Sequence, residues 1–273
     1  MTDCLNELIH FLDAEFQREK YQDSFEYTLL ESSILKNGLV IKSSEIVEVV
    51  VGSVFAAPNV LEKIISSKIS NILWITHHPF YACEKGYGVL NDREIQLMKE
   101  NRISLYVLHM PLDLHDRFSN TVSLIEKLEI SSLSEFGKYM DKNLGRIVEL
   151  KSAQRLDEFV IGLKKKLEIP EECKIHVNGN NLVKRIGIIA GTVCQPNIVI
   201  ESFRKKCDTI MVGTLKPDFT NRYFYEQYNI IQKLVAAAEL NTIEIGHGIS
   251  EEYGIKKLIS YLAKSKFEAV YLK

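Results

Sequence analysis

Seven histidines occur in the chain, and four of them fall between positions 77 and 115. Their placement carries more than their number. His77-His78-Pro79 closely follows a strand read over Asn71–Ile75, His109 directly follows one over Ile103–Leu108, and His247 closely follows one over Thr242–Ile245. Ligands of parallel α/β sheets bind outside the carboxyl ends of the strands, so three strands deliver imidazoles to the same kind of place. Two of these strand ends also bring a carboxylate four residues on, Asp113 in HMPLD and Glu251 in HGISE. If Glu251 opens the last helix, His247 and Glu251 converge from the loop and the first turn. Imidazole with carboxylate suits Zn²⁺, Fe²⁺, Mn²⁺, Ni²⁺ or Co²⁺ rather than a thiolate metal. His77, His78, Asp113, His247 and Glu251 outnumber the protein ligands of a usual catalytic zinc. A pair of metals ~3.5–4 Å apart, bridged by a carboxylate and a water, uses such a set better and activates water near neutral pH.

A plainer reading stands beside this one. His10, His115 and His176 read as surface or hydrogen-bonded histidines. Asp113 has the alternative role of capping a turn, and Glu251 that of complementing a helix N-terminus. Cys83, five residues after His78, is a soft ligand in principle and more simply a plain thiol. Gly187–Gly191 ends a strand without GxGxxG, so a dinucleotide site is not supported. The sequence has no GxxxxGK[ST] and no GxSxG, which removes a P-loop and an α/β-hydrolase serine. Lys164-Lys165-Lys166 reads as the solvated end of a helix. Tyr223, Phe224, Tyr225 and Tyr228 read as packing or a subunit contact, since few basic residues accompany them.

The elements that must position these groups alternate. Leu5, Ile9, Leu12 and Phe16 form one apolar helical stripe. Ile46–Val51 is a β-branched run that reads as a buried strand. Helices follow over Asn59–Ser67, over Asn91–Asn101 with Asn91 or Asp92 as N-cap, and over Asn120–Leu128. The Ser-rich stretch 129–140 marks a domain boundary, giving units of 1–130 and 131–273. The second half reads as a strand (Arg146–Leu150), a helix (Ala153–Leu167), and two strands (Cys173–Val177, Leu182–Ala190) joined by a hairpin at Asn178-Gly179. A helix (Asn197–Lys205), a strand (Thr209–Val212) and a long helix (Tyr223–Leu240) come next. After the strand Thr242–Ile245, Ile255, Leu258, Ile259 and Leu262 mark a last helix, and Phe267–Leu272 a final strand. Pro217 and Asp218 make Thr214–Asn221 a loop. The fold class is α/β, two domains with mainly parallel sheets.

A chain of 273 residues with 46% hydrophobic and 26% charged residues has the composition of an ordinary globular protein. Its 34 basic and 36 acidic residues give a net charge of −2, no electrostatic footprint for nucleic acid. No run reaches the ~20 apolar residues of a membrane span. Five scattered cysteines without a CxxC pair fit a reducing compartment. With no basic n-region at the start, a cytoplasmic location is expected.

Three blocks now stand together: Ile75-Thr-His-His-Pro-Phe80, His109-Met-Pro-Leu-Asp113 and Gly246-His-Gly-Ile-Ser-Glu251. In this order they resemble the signature blocks of the Nif-three-like family, whose bacterial members carry the label GTP cyclohydrolase 1 type 2 homolog. Weaker matches accompany them. Asn37-Gly-Leu39 resembles an early Asn-x-Gly-Leu block without its spacer. Phe118–Leu128 resembles a helix with an Asn-rich start, here Asn120, and Asp208–Gly213 resembles an Asp-x-x-x-x-Gly strand. The resemblance runs over roughly residues 25–265. It implies two interlinked α/β domains with a dinuclear metal site in the cleft between them. It implies His77, His78, Asp113, His247 and Glu251 as ligands, with His109 beside the metals as a weak ligand or a group orienting Asp113. It also implies a ring-shaped hexamer. Departures are visible in Gly213-Thr-Leu-Lys-Pro-Asp218, where members carry an acidic residue after the glycine. Ala190-Gly-Thr192 stands where members have a glycine-rich turn, and Gly248 where they have an aromatic residue or histidine. These changes spare the ligand positions and fall on the substrate pocket.

The expected function is a cytoplasmic, metal-dependent hydrolase with a two-metal site acting on a small molecule or nucleotide, cyclohydrolase-like or phosphoester-cleaving. Asp113 or Glu251 bridges the metals, and His109 or Glu252 moves protons. The alternative is a metal-binding interaction or regulatory protein without turnover. Activity on a generic phosphoester or nucleotide panel separates the two.

Overall fold

Residues 72–78, Ile-Leu-Trp-Ile-Thr-His-His, are buried at every position. Only a strand covered on both faces takes such a run. The computed structural model describes residues 3–23, 25, 30–83, 86–169, 173–216, 222–265 and 267–273. In chain order the first elements are β1 (Asp3–Cys4), α1 (Leu5–Glu15), β2 (Gly38–Ile41), β3 (Ile46–Val47), β4 (Val49–Phe55) and α2 (Pro58–Ser66). Then follow β5 (Ile72–His78), β6 (Phe80–Cys83), β7 (Gly86–Val89), α3 (Asp92–Glu100), β8 (Ile103–Val107) and α4 (Met110–Asp113). The middle of the chain forms α5 (Asn120–Leu128), β9 (Ser132–Tyr139), β10 (Lys142–Arg155), α6 (Leu156–Leu167), β11 (Lys174–His176) and β12 (Leu182–Thr192). The chain closes with α7 (Pro196–Arg204), β13 (Thr209–Thr214), α8 (Arg222–Ala237), β14 (Asn241–Glu244), α9 (His247–Ser265) and β15 (Glu268–Tyr271).

The chain divides into two units, Met1–Phe118 with Gly254–Lys273, and Ser119–Tyr253. The first holds a five-stranded sheet of order β15-β4-β5-β8-β2. Its pairs are parallel except β2 with β8. The α1 stripe packs into the core through Leu5, Leu8, Leu12 and Phe16, with Ile9 partly buried. Ile255, Leu258, Ile259 and Leu262 of α9 join the same core. Gly52 of β4 makes room for this helix, since a Cβ there would lie 2.3 Å from Ile259 Cγ1. Trp74 is fully buried, and its indole N–H donates to Ser53 Oγ at 2.9 Å.

The second unit holds a six-stranded sheet of order β11-β14-β13-β12-β10-β9. Successive strand residues face opposite sides, and the two cores follow that alternation. Val148, Ile186, Ile188, Met211 and Ile243 pack with α5 and α6. Ile147, Ile189, Ile210 and Val212 pack with α7 and α8.

Several expectations are corrected. The stretch 129–140, read as a domain boundary, holds β9, and by contacts the chain divides into units at 118/119 and 253/254. The second sheet is mixed, with β12, β13 and β14 parallel and β11, β10 and β9 antiparallel to their neighbours. Asn178-Gly179 does not close a hairpin, because β11 pairs with β14 and β12 with β10 and β13. Asn178 and Gly179 instead donate their amides to Asn241 Oδ1, both at 3.2 Å. Ala153–Arg155 extends β10, so α6 starts at Leu156. Pro217 and Asp218 lie outside the described residues.

Candidate metal centre

In the first unit the site grows from two neighbouring strand ends. β5 does not stop at Ile75 but runs through His77 and His78, which are 0% and 2% exposed. The paired strand β8 ends one residue before Leu108, whose amide donates to the Thr76 carbonyl at 2.8 Å. The Leu108 carbonyl in turn lies 2.9 Å from His77 Nδ1. A carbonyl only accepts, so Nδ1 carries the proton and the lone pair sits on Nε2. His77 Nε2 lies 3.5 Å from Asp113 Oδ2. Pro111 near the start of α4 suits the first turn of a helix. That one turn carries Asp113 back, its amide donating to the His109 carbonyl at 3.2 Å.

His109 is held twice. Its backbone amide donates to Asn37 Oδ1 at 2.8 Å, and its Nδ1–H donates to Asp23 Oδ2 at 2.5 Å. Asn37 Nδ2 also donates to Asp23 Oδ1 at 3.3 Å. The His109 ring centroid is 4.9 Å from that of His77 and 4.8 Å from that of His78. His78 lies between Phe55 and Phe80, with centroids at 5.1 and 4.7 Å. One ligand atom from each of the three histidines lies within 4.8 Å of the others. Clustered imidazoles beside a carboxylate, two of them with Nδ1 bound to an oxygen acceptor, match the way proteins orient metal-binding histidines. The donor chemistry fits a borderline divalent ion.

In the second unit His247 sits on no loop: it opens α9, and Glu251 follows one turn later on the same face. His247 Nε2 is 3.1 Å from Glu251 Oε2, and the carboxylate is almost fully buried. Gly191 makes this burial possible, with φ at +80° and a hypothetical Cβ only 2.4 Å from Glu251 Oε1. Its amide donates to Ser250 Oγ at 2.9 Å, and that hydroxyl donates to the His247 carbonyl at 2.7 Å. A cavity of about 230 Å³ lies beside His247, lined among others by Cys173, Lys174, Thr214, Glu244 and Ile249. Glu244 is buried there and accepts from Thr214 Oγ1 and the Leu215 amide at 3.0 and 2.8 Å.

The remaining candidates fall away. Cys83 is exposed at the end of β6 and joins no metal-capable group among the described residues. His115 is structural: its Nδ1 accepts from the amides of Arg117 and Phe118. His176 sits half-exposed on the edge strand β11, 3.6 Å from Glu244. His10 is exposed. Glu252 is buried, and burial together with this carboxylate pushes the Tyr253 hydroxyl pKa up. Asp23 escaped the sequence reading because it lies 86 residues from its partner His109. The Asn37-Gly-Leu39 block was the nearest signal to it.

The fold is that of a two-unit α/β protein: in the first unit two strand ends gather imidazoles and a carboxylate, and in the second a helix start pairs His247 with Glu251. The family model for Duf34/NIF3 (NGG1p interacting factor 3) matches residues 18–273, and the chain belongs to this family. A GTP cyclohydrolase 1 type 2 homolog of Pyrococcus horikoshii is 28% identical over 265 residues, 96% of this chain and 94% of that protein. One of Archaeoglobus fulgidus is 25% identical over 272 residues, 98% and 97% of the two chains. Among solved structures, the protein ybgI, of unknown function, matches with a TM-score of 0.74 at 19% identity over 99% and 98% of the chains. Reduced HcgD from Methanocaldococcus jannaschii matches at 0.70 and 18% identity over 100% and 99%. These neighbours share the two-domain fold.

Proposed function

We propose that the protein is a metal-dependent hydrolase, with His77, His78, Asp113, His247 and Glu251 holding two divalent ions. The observation that carries this reading is the His77 arrangement, its Nδ1–H bonded to the Leu108 carbonyl and its Nε2 near Asp113. When bound, paired divalent ions supply charge stabilisation and a water acidic enough to attack at neutral pH. The chain's own groups do the rest. Asp113 and Glu251 supply the anionic oxygens that a bridging role requires. His109 keeps a proton at Nδ1 against Asp23. Phe55 and Phe80 pack the His78 ring and exclude water from it. The names of the relatives support a nucleotide substrate with a ring-opening reaction, and phosphoester cleavage uses the same machinery. A cytoplasmic location is part of the proposal. Among the described residues no helix is long and apolar enough to cross a membrane. A homo-oligomer, a hexameric ring, is part of the proposal by family resemblance.

The test is a panel of nucleotides and generic phosphoesters with Zn²⁺, Mn²⁺, Fe²⁺, Co²⁺ or Ni²⁺. Metal-dependent product release, abolished by Asp113→Ala with an unchanged circular dichroism spectrum, is the expected outcome. One feature favours a non-catalytic metal-binding protein: Thr214 stands where the family resemblance leads one to expect an acidic residue, and its hydroxyl donates to Glu244. Metal uptake without turnover on the whole panel would select that reading.

A further inference from the structure

We infer that Asp23 is a positioning residue: it orients the ring of His109, which the family resemblance places beside the metals as a weak ligand, so that this ring serves the imidazole cluster of the first unit. The inference rests on the metal-binding reading above and deepens it.

The argument starts from proton placement. A carboxylate accepts hydrogen bonds, so the 2.5 Å contact between Asp23 Oδ2 and His109 Nδ1 puts the ring proton on Nδ1. The lone pair of the neutral ring is then on Nε2. Asn37 holds both partners: its Oδ1 accepts from the His109 amide, and its Nδ2 donates to Asp23 Oδ1. Backbone, ring and carboxylate of this corner are thereby fixed by three hydrogen bonds from two distant segments. Phe25 packs against the His109 ring, with centroids 5.1 Å apart. His77 repeats the pattern with a carbonyl in place of the carboxylate. The cluster therefore holds at least two rings with the same tautomer, and the ligand atoms of His77, His78 and His109 lie within 4.8 Å of one another. Imidazoles held by outer acceptors are a common protein contribution to a catalytic zinc, and His77 and His109 are held in this way. Nothing in the known blocks of the sequence requires Asp23: it is supplied by a segment before β2 that carries no such motif.

The experiment has three readouts, all on the full chain: ring tautomer, Zn²⁺ affinity and the number of imidazoles on the bound ion. Long-range ¹⁵N–¹H correlation on the metal-free protein reads the His109 tautomer. Competition with a chromophoric chelator reads the affinity for Zn²⁺. The wild type is expected to show the Nδ1–H form. Asp23→Ala is expected to shift His109 toward the Nε2–H form and to weaken Zn²⁺ about 10–100-fold. Asp23→Asn keeps an acceptor, so it is expected to retain the tautomer and lose less affinity. His109→Gln is expected to weaken Zn²⁺ and to lower by one the imidazoles counted by X-ray absorption. Unchanged tautomer and affinity in Asp23→Ala would overturn the positioning role. An unchanged imidazole count in His109→Gln would overturn the ligand role, even if Asp23→Ala fails to fold. A wild type that takes up no Zn²⁺ or any other divalent ion would sink the metal reading itself, and the tautomer would still judge Asp23.

Discussion

A carbonyl oxygen and a carboxylate, each placed against a ring nitrogen, decide the chemistry at the residue scale. They set the proton of His77 and His109 on Nδ1 and leave the lone pair of each neutral ring on Nε2. Glu251 depends on a missing side chain. Gly191→Ala forces a Cβ into Glu251 Oε1 at a φ of +80°. A left-handed non-glycine residue costs about 1–2 kcal/mol, so urea denaturation should show at least that loss, together with weaker metal binding. The cysteines give a second residue-scale prediction. Burial pushes the Cys194 and Cys207 thiols up to about 12. An acid whose pKa is raised stays protonated at pH 8, and a protonated thiol is a poor nucleophile. Iodoacetamide on the native protein should therefore label the exposed Cys4 and Cys83 well before Cys194 and Cys207, as read by peptide mass spectrometry.

At the scale of elements, the ends of strands mattered most, and they were the part hardest to read. Asn71–Ile75 was legible as a strand from its β-branched and aromatic run. Its extension through His77 and His78 was not, because two imidazoles look like a loop until β4 and β8 are paired on either side. Asn120–Leu128 was legible to the residue, and the structure adds its cap, Ser119 Oγ accepting from the Val122 amide. Asn178-Gly179 misled because a turn signal says nothing about which strand the chain joins next. Long-range pairing to β14 settled that. The seat of α9 on the first sheet gives the prediction for this scale. Gly52→Ala must displace Ile259, and overpacking a tight core costs about 1–3 kcal/mol. A lowered urea midpoint with an unchanged m-value is the expected result.

At the scale of the whole molecule, the alternation of strands and helices announced the α/β class. The order in which the chain visits its two units could not be read. The last twenty residues return to the first unit, and the boundary lies inside α9. An amphipathic stripe identifies a helix but not the sheet that receives it. Candidate ligand positions stood out in the sequence because three motifs, far apart along the chain, shared one chemistry. Of the supporting residues, Asp23 carries no signature of its own, while Gly191 and Ser250 lie in stretches already singled out and took on their role only once Glu251 was placed. Metal bound to the folded chain should also stabilise it, by about 2.7 kcal/mol at a free concentration a hundred times Kd. Chelation should accordingly lower the calorimetric Tm, and readdition of the ion should restore it.

The most direct test of the central claim is the metal content of the purified protein by plasma mass spectrometry, beside a His77→Ala/His78→Ala variant. About two equivalents per chain in the wild type, lost in the variant, is the predicted result. Near-zero metal in both, even after supplementation with each divalent ion, would contradict it.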